Sequence, residues 1–153
     1  MINKKEQKYQ RIITQLKELF QKVENPLSRM ATICAVLHHK NEHFFWTGFY
    51  LISENDELEV VCYQGPLACM RLKKDTGVCW AAISRQKSIV VDNVNDFPGH
   101  IACNPLSRSE IVIPVFQYGK IKGVLDVDSK TFAAFDKSDA DMLREITQLV
   151  YKQ

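Results

Sequence analysis

The chain has 153 residues, of which 46% are hydrophobic and 25% are charged. This composition is typical of one globular domain, and it excludes a disordered chain, a fibrous repeat and a polytopic membrane protein. Twenty basic and eighteen acidic residues leave a net charge of +2, which is too balanced to indicate a protein that binds nucleic acid. No apolar stretch approaches the roughly 18 residues of a membrane span, and no secretory signal is visible, so we expect a cytoplasmic protein.

The first third of the chain is predicted to be two helices followed by a hairpin. Apolar residues recur at helical spacing over 4–24, which predicts an amphipathic helix that ends at Asn25-Pro26. A second helix is predicted over 28–39. An aromatic, β-rich stretch at 44–52 and its partner at 58–62 then predict two strands joined by a turn.

The remainder of the chain alternates regular elements with two irregular stretches. The predicted elements are a short helix at 77–86, a short strand at 88–91, strands at 110–116 and 121–128, and a last helix at 136–152. The irregular stretches, 63–76 and 92–109, are long enough to indicate functional loops. This order favours one α+β domain with a central antiparallel sheet flanked by helices, in which the sheet and the site loops occupy 44–128.

Five cysteines fall into two groups. The count is odd, and nothing indicates export, so we expect a reducing compartment where thiols serve chemistry or metal binding more often than stable disulfides. Cys34 lies on the apolar face of a predicted helix and Cys62 ends a predicted strand, which indicates packing residues. Cys69, Cys79 and Cys103 lie in or beside the irregular stretches, and for them redox chemistry, a structural role and metal binding all remain open.

Carboxylates are unusually placed on the last predicted strand. Asp126 and Asp128 are two residues apart, so their side chains point to the same face of the sheet. Glu110 opens the neighbouring strand, and the register of the hairpin decides whether it joins them. One interpretation is a solvent-facing polar side of the sheet. The other is a group of carboxylates in a pocket, able to hold an ammonium group or to donate a proton.

Six segments of the chain carry a resemblance to a known family. They are WTGFY at 46–50, YQGPLAC at 63–69, GVC at 77–79, FPGHIAC at 97–103, SEIV at 109–112 and GVLDVDS at 123–129. Together they resemble the free methionine-(R)-sulfoxide reductases, which are stand-alone GAF-domain enzymes. The match runs from about residue 46 to the last helix, and it implies a single GAF-like domain over 1–153.

The resemblance implies a thiol-dependent reduction of free L-methionine-(R)-sulfoxide to L-methionine. Cys103 matches the thiol that attacks the sulfoxide sulfur and becomes a sulfenic acid. Cys69 matches the resolving cysteine that forms an intramolecular disulfide with it. Cys79 matches a third cysteine, which relays the disulfide to a reductant such as thioredoxin. No metal and no organic cofactor is implied.

The remaining matched residues are expected to bind the substrate. Among Glu110, Asp126 and Asp128, one carboxyl is expected to protonate the sulfoxide oxygen while the others bind the substrate ammonium. Trp46 matches an aromatic residue that lines the pocket for the substrate methyl group.

Two alternative functions stay open. One is a GAF module that binds a small molecule without turning it over. The other is a zinc protein that uses the three loop cysteines and His100, although the chain lacks the short cysteine pair that is usual in structural zinc sites. Outside a zinc site, His100 is expected either to lower the thiol pKa of Cys103 or only to pack in its loop. The oligomeric state is left open, with a homodimer as one candidate.

Overall fold

A six-stranded antiparallel sheet forms the centre of the structure, a computed structural model that describes residues 1–100 and 103–152. The strands are β1 (Trp46–Ile52), β2 (Leu58–Gln64), β3 (Arg71–Leu72), β4 (Ile89–Val91), β5 (Ser109–Gln117) and β6 (Lys120–Ser129). Their order across the sheet is β3-β2-β1-β6-β5-β4, and each neighbouring pair is antiparallel. The α+β class with a central antiparallel sheet is confirmed.

Helices cover both faces of this sheet. They are α1 (Lys4–Leu19), α2 (Pro26–Lys40), α3 (Gly77–Arg85) and α4 (Lys137–Thr147). The first core contains α1, α2 and α4 packed on one face, and a second core contains α3 packed on the other. In the described part of the chain, none of these helices has the length and apolarity needed to cross a membrane.

The last helix begins as predicted and ends earlier. Asp136 accepts a hydrogen bond from the Asp139 N–H (3.1 Å), and the Asp139 carboxylate accepts one from the Asp136 N–H (2.9 Å), so the two residues form a capping box at the predicted start. The helix ends at Thr147, before the predicted end. The N–H groups of Leu149 and Val150 donate to carbonyl oxygens three residues back, which tightens the chain into turns.

Two short elements differ from the sequence prediction. The predicted first helix ends at Leu19 and is followed by one turn of 3₁₀ helix, Phe20–Lys22. Strand β3 is only two residues long and pairs with the start of β2. Trp80 of α3 is buried and its Nε1 donates to the Leu72 carbonyl (3.0 Å), so α3 is anchored to this edge strand.

Candidate active site

Three carboxyl groups meet on the face of the sheet that carries α3. Leu125 and Val127 of β6 belong to the opposite core, so Asp126 and Asp128 point toward α3, as their spacing predicted. Glu110 of β5 lies directly across from Asp128 in the register, and directly opposed residues of an antiparallel pair share a face. The register therefore brings Glu110, Asp126 and Asp128 together, and we call them the carboxyl cluster.

Trp46 lies beside this cluster on the neighbouring strand β1. It is directly opposite Asp128, and its ring stacks against Tyr50 (centroids 5.7 Å apart) and Tyr63 (5.3 Å). Gly48 makes room for the ring, because a Cβ at that position would lie 2.3 Å from the Trp46 Cη2. The glycine of the WTGFY segment thus fixes where the indole lies.

A disulfide joins the two irregular stretches next to the cluster. Cys69 follows β2, Cys103 precedes β5, and their Cα atoms are 5.5 Å apart across the bond. Cys103 is exposed, whereas Cys69 is half-buried. The Tyr50 hydroxyl donates to the Cys69 carbonyl oxygen (2.7 Å), which ties the Cys69 loop to β1.

The Cys103 loop is tied to the sheet by backbone contacts. The Asn104 side chain accepts from the Leu106 N–H (2.9 Å) and forms a local turn directly after Cys103. The Arg108 N–H donates to the Ser129 carbonyl oxygen at the end of β6 (2.7 Å). These contacts hold the loop over the strand end that carries the carboxyl cluster.

A pocket with about 580 Å³ of empty space, part of it open to solvent, lies between the disulfide loops and the sheet. Six of the seven predicted site residues line it, namely Trp46, Cys79, Cys103, Glu110, Asp126 and Asp128. Cys69 is the exception. Three polar atoms of its lining residues, the Trp46 Nε1, the Ser107 Oγ and the Asp126 Oδ1, are buried without a hydrogen-bond partner in the part of the chain that is described. Such atoms are available to a polar ligand.

Burial raises the pKa of each acid in the carboxyl cluster. Desolvation, with the charge of Asp128 added, raises the pKa of Glu110 to about 8. Desolvation is also the main reason that the pKa values of Asp126 and Asp128 lie well above their ordinary range, followed by repulsion from neighbouring carboxylates. The three groups are close enough to titrate together, so the cluster retains protons at neutral pH.

Cys79 lies inside the pocket near the N-terminus of α3. It is 3% exposed, and desolvation, followed by the charge of Asp126, raises the pKa of its thiol. Ligand atoms of Cys79, Glu110 and Asp126 lie within 4.8 Å of one another, so these residues could hold a metal ion. The zinc hypothesis also needs the thiols of Cys69 and Cys103, which are bonded to each other in this structure.

His100 also lines the pocket. Its Nε2 lies 3.6 Å from a carboxylate oxygen of Glu110, and desolvation lowers the pKa of the imidazole. The contact is with the carboxyl cluster, and both expected roles of His100 remain predictions. Residues 101 and 102, which complete the FPGHIAC segment between His100 and Cys103, lie outside the described residues.

Sequence reasoning did not single out several other residues of the pocket. Tyr50 anchors the Cys69 loop, and its position in period two with Trp46 on one strand was the available signal. Gly77 and Val78, at the start of α3, and Asn104, beside Cys103, also line the pocket. The sequence signal for Gly77 was a glycine that opens a predicted helix next to a candidate cysteine.

Comparisons with known proteins agree with this geometry. A family model described as GAF domain matches residues 16–150. The chain is 42% identical over 146 residues to GAF domain-containing protein A of Dictyostelium discoideum, a match that covers 95% of this chain and 92% of that protein. It is 38% identical over 126 residues to the free methionine-R-sulfoxide reductase of Escherichia coli (strain K12), covering 82% and 76%.

A solved structure extends the likeness to three dimensions. The free methionine-R-sulfoxide reductase from Neisseria meningitidis, determined in complex with its substrate, superposes with a TM-score of 0.92 at 38% identity. The match covers 98% of this chain and 90% of that one.

Proposed function

The chain belongs to the GAF-domain family of the free methionine-R-sulfoxide reductases, and we propose that it reduces free L-methionine-(R)-sulfoxide to L-methionine with its own thiols. The observation that carries the proposal is the Cys69–Cys103 disulfide beside a pocket that contains the carboxyl cluster. A redox-active cysteine pair and buried acids are the two groups that sulfoxide reduction needs, since one supplies electrons and the other supplies protons.

We propose that the pocket recognises the two charged groups of a free amino acid. The substrate ammonium binds the carboxyl cluster, where acids that give up a proton on binding balance its charge. The substrate carboxylate binds at the N-terminus of α3, which has no side-chain cap and contributes Gly77 and Val78 to the pocket. The methyl group of the sulfoxide packs on the Trp46 ring.

The proposed reaction begins at the sulfoxide sulfur. The Cys103 thiolate attacks this sulfur while a protonated acid of the carboxyl cluster gives its proton to the sulfoxide oxygen. The oxygen passes to the Cys103 sulfur, so that methionine leaves with two more electrons and Cys103 is left as a sulfenic acid. The Cys69 thiol then attacks the Cys103 sulfur, water leaves, and the disulfide forms.

Reduction of the disulfide completes the cycle and is proposed to use a dithiol protein such as thioredoxin. The predicted relay through Cys79 remains part of the proposal. Cys79 shares the pocket with Cys103 but is 3% exposed, so a reductant reaches it only after the loops open. If Cys79 is the relay, Cys79→Ser slows turnover with thioredoxin far more than turnover with dithiothreitol. Equal slowing with both reductants contradicts the relay.

The decisive experiment compares the two epimers of free methionine sulfoxide. Reduced protein is mixed with the (R) or the (S) epimer and dithiothreitol, and methionine is quantified. We expect turnover of the (R) epimer alone, and without reductant one methionine per chain together with loss of the Cys69 and Cys103 thiols. Tight binding without turnover would instead support the non-catalytic module.

The zinc alternative and the assembly need separate measurements. Stoichiometric zinc in the purified protein, found by elemental analysis, would support a zinc protein and contradict the redox interpretation of the cysteines.

A homodimer and a cytoplasmic location remain predictions. Light scattering on purified protein measures the oligomeric state, and fractionation of the source cells measures the location.

A further inference from the structure

The two cysteines that the reaction does not use touch each other on the opposite face of the sheet. The Sγ atoms of Cys34 on α2 and Cys62 on β2 are 3.9 Å apart, although the residues are 28 positions apart in the chain. Both pack in the core formed by α1, α2 and α4. We call them the distal thiol pair, because the sheet separates them from the pocket that Cys69 and Cys103 border.

A β-bulge brings Cys62 to this face. Phe49 pairs with Cys62 and Tyr50 pairs with Val60, so Val61 is an extra residue in β2. Val60 packs in the core around α3, and strict alternation would send Cys62 to that same core. The inserted Val61 reverses the alternation and aims the Cys62 thiol at α2 instead.

The surroundings of the two thiols are unequal. Cys34 is 1% exposed, whereas Cys62 is half-buried and follows the exposed Val61. Either sulfur can donate in this contact, and when the Cys34 thiol donates, the hydrogen bond raises the pKa of Cys34 and lowers that of Cys62. Cys62 is therefore the more accessible thiol, and the Cys34 sulfur is in contact with it.

We propose that the distal thiol pair is a second oxidation site, at which a hydroperoxide converts the contacting thiols of Cys34 and Cys62 into an intramolecular disulfide. The Cys62 sulfur attacks a peroxide oxygen, the O–O bond breaks, and Cys62 becomes a sulfenic acid while the other oxygen leaves as water or an alcohol. The Cys34 sulfur then bonds to the Cys62 sulfur and the sulfenic oxygen leaves as water. Two thiols are oxidised by two electrons, and one peroxide is reduced.

The reaction needs only a small movement. The two sulfur atoms, already in contact at 3.9 Å, must approach by only about 2 Å to reach the roughly 2 Å length of a disulfide bond. The new bond would link α2 to β2 across the first core. It would not consume the catalytic thiols, since the sheet lies between the two sites.

The test uses a protein in which only the distal thiol pair remains. Cys69→Ser/Cys79→Ser/Cys103→Ser protein is treated with hydrogen peroxide, and free thiols are counted after unfolding, with intact-mass measurement alongside. We expect both thiols to disappear, the mass to fall by two hydrogen atoms, and dithiothreitol to restore both thiols. The matched control adds Cys34→Ser, and we expect it to gain oxygen on Cys62 without losing two hydrogens.

The unsubstituted protein provides an independent measurement. After peroxide treatment and alkylation without reduction, trypsin and chymotrypsin separate Cys62 from Cys69, because Tyr63 lies between them. We expect a linked peptide that joins Cys34 to Cys62. Two thiols that survive treatment, or two thiols that each gain oxygen without a linked peptide, would overturn the proposal.

Discussion

The exposed Cys103 and the half-buried Cys69 make the clearest prediction about single residues. We expect Cys103→Ser to abolish turnover of free methionine-(R)-sulfoxide with dithiothreitol, because a serine hydroxyl is a far weaker nucleophile than a thiolate at neutral pH. Cys34→Ser and Cys62→Ser are the controls, and we expect both to keep nearly the whole rate because the sheet separates them from the pocket. Substantial activity in the Cys103→Ser protein would contradict the proposed mechanism.

The carboxyl cluster gives a second residue-scale prediction. Asp126→Asn and Asp128→Asn each preserve shape but remove an acid and a charge, so we expect a loss of at least about tenfold in kcat/KM. Glu59→Gln is a matched control, because Glu59 is an exposed acid on a strand of the same sheet. Circular dichroism checks the fold of each variant. Unchanged kinetics in both aspartate variants would restore the solvent-facing interpretation of this strand.

The same residues show what their sequence context predicts. The period of two placed Asp126 and Asp128 on one face, and the structure agrees. It could not place Glu110, since a slip of one residue in the pairing of β5 and β6 would send that side chain to the other core. Which loop lies over the carboxyl cluster is likewise set by long-range contacts, such as the Tyr50 hydroxyl on the Cys69 carbonyl, that no local pattern encodes.

At the scale of elements, local signals predicted most helices and strands but not every boundary. Apolar periodicity located α1, α2 and the start of α4, and proline located the break between α1 and α2. Strand β3 was missed because two residues carry no periodicity and form a strand only by pairing with β2. The bulge at Val61 was missed for the same reason, since it is defined by the partner strand rather than by the residue itself.

The cap of α4 can be tested as an element. Asp136 accepts from the first turn of α4 and also bonds Lys5 of α1 (2.8 Å), so it joins two helices. We expect Asp136→Ala to lower the free energy of unfolding by about 1–2 kcal/mol, measured by urea denaturation, with kcat unchanged. Asp141→Ala, which removes a partly exposed acid that pairs with Lys137 and Arg144 on the same helix, should cost less because surface ion pairs contribute little. Equal losses in the two variants would mean that the cap contributes nothing specific.

At the scale of the whole molecule, the buried carboxyls make stability depend on pH. Glu110 has a pKa of about 8 in the folded chain against an ordinary value of 4.5, so between these values the folded chain binds a proton that the unfolded chain releases. Stability therefore falls as pH rises through this window. We expect Tm to fall from pH 5 to pH 9, with a shallower slope in Glu110→Gln protein. Identical slopes of Tm against pH in the two proteins would contradict the raised pKa of Glu110.

The size and charge of the pocket also predict which substrates the molecule accepts. A free amino acid brings an ammonium group to the carboxyl cluster, whereas a methionine sulfoxide within a peptide brings a neutral amide with chain on both sides. The amide cannot form the buried ion pair that the ammonium forms with the cluster, and losing such a pair costs on the order of 3–5 kcal/mol, which corresponds to a selectivity of roughly 10²–10³ or more. The loops joined by the Cys69–Cys103 disulfide add steric exclusion.

We therefore expect rapid reduction of free methionine-(R)-sulfoxide and negligible reduction of N-acetyl-methionine-(R)-sulfoxide and of an oxidised peptide. The N-acetyl compound is the informative one, because it keeps the sulfoxide and the α-carboxylate and removes only the positive charge while adding a small group. The measurement is kcat/KM for the three substrates with dithiothreitol at one pH. Asp128→Asn protein separates charge recognition from catalysis. If the carboxyl cluster binds the ammonium, the substitution should reduce kcat/KM for the free amino acid by a larger factor than kcat/KM for the N-acetyl compound. Comparable rates on the free amino acid and the peptide would show an open site, and would contradict the pocket model of recognition.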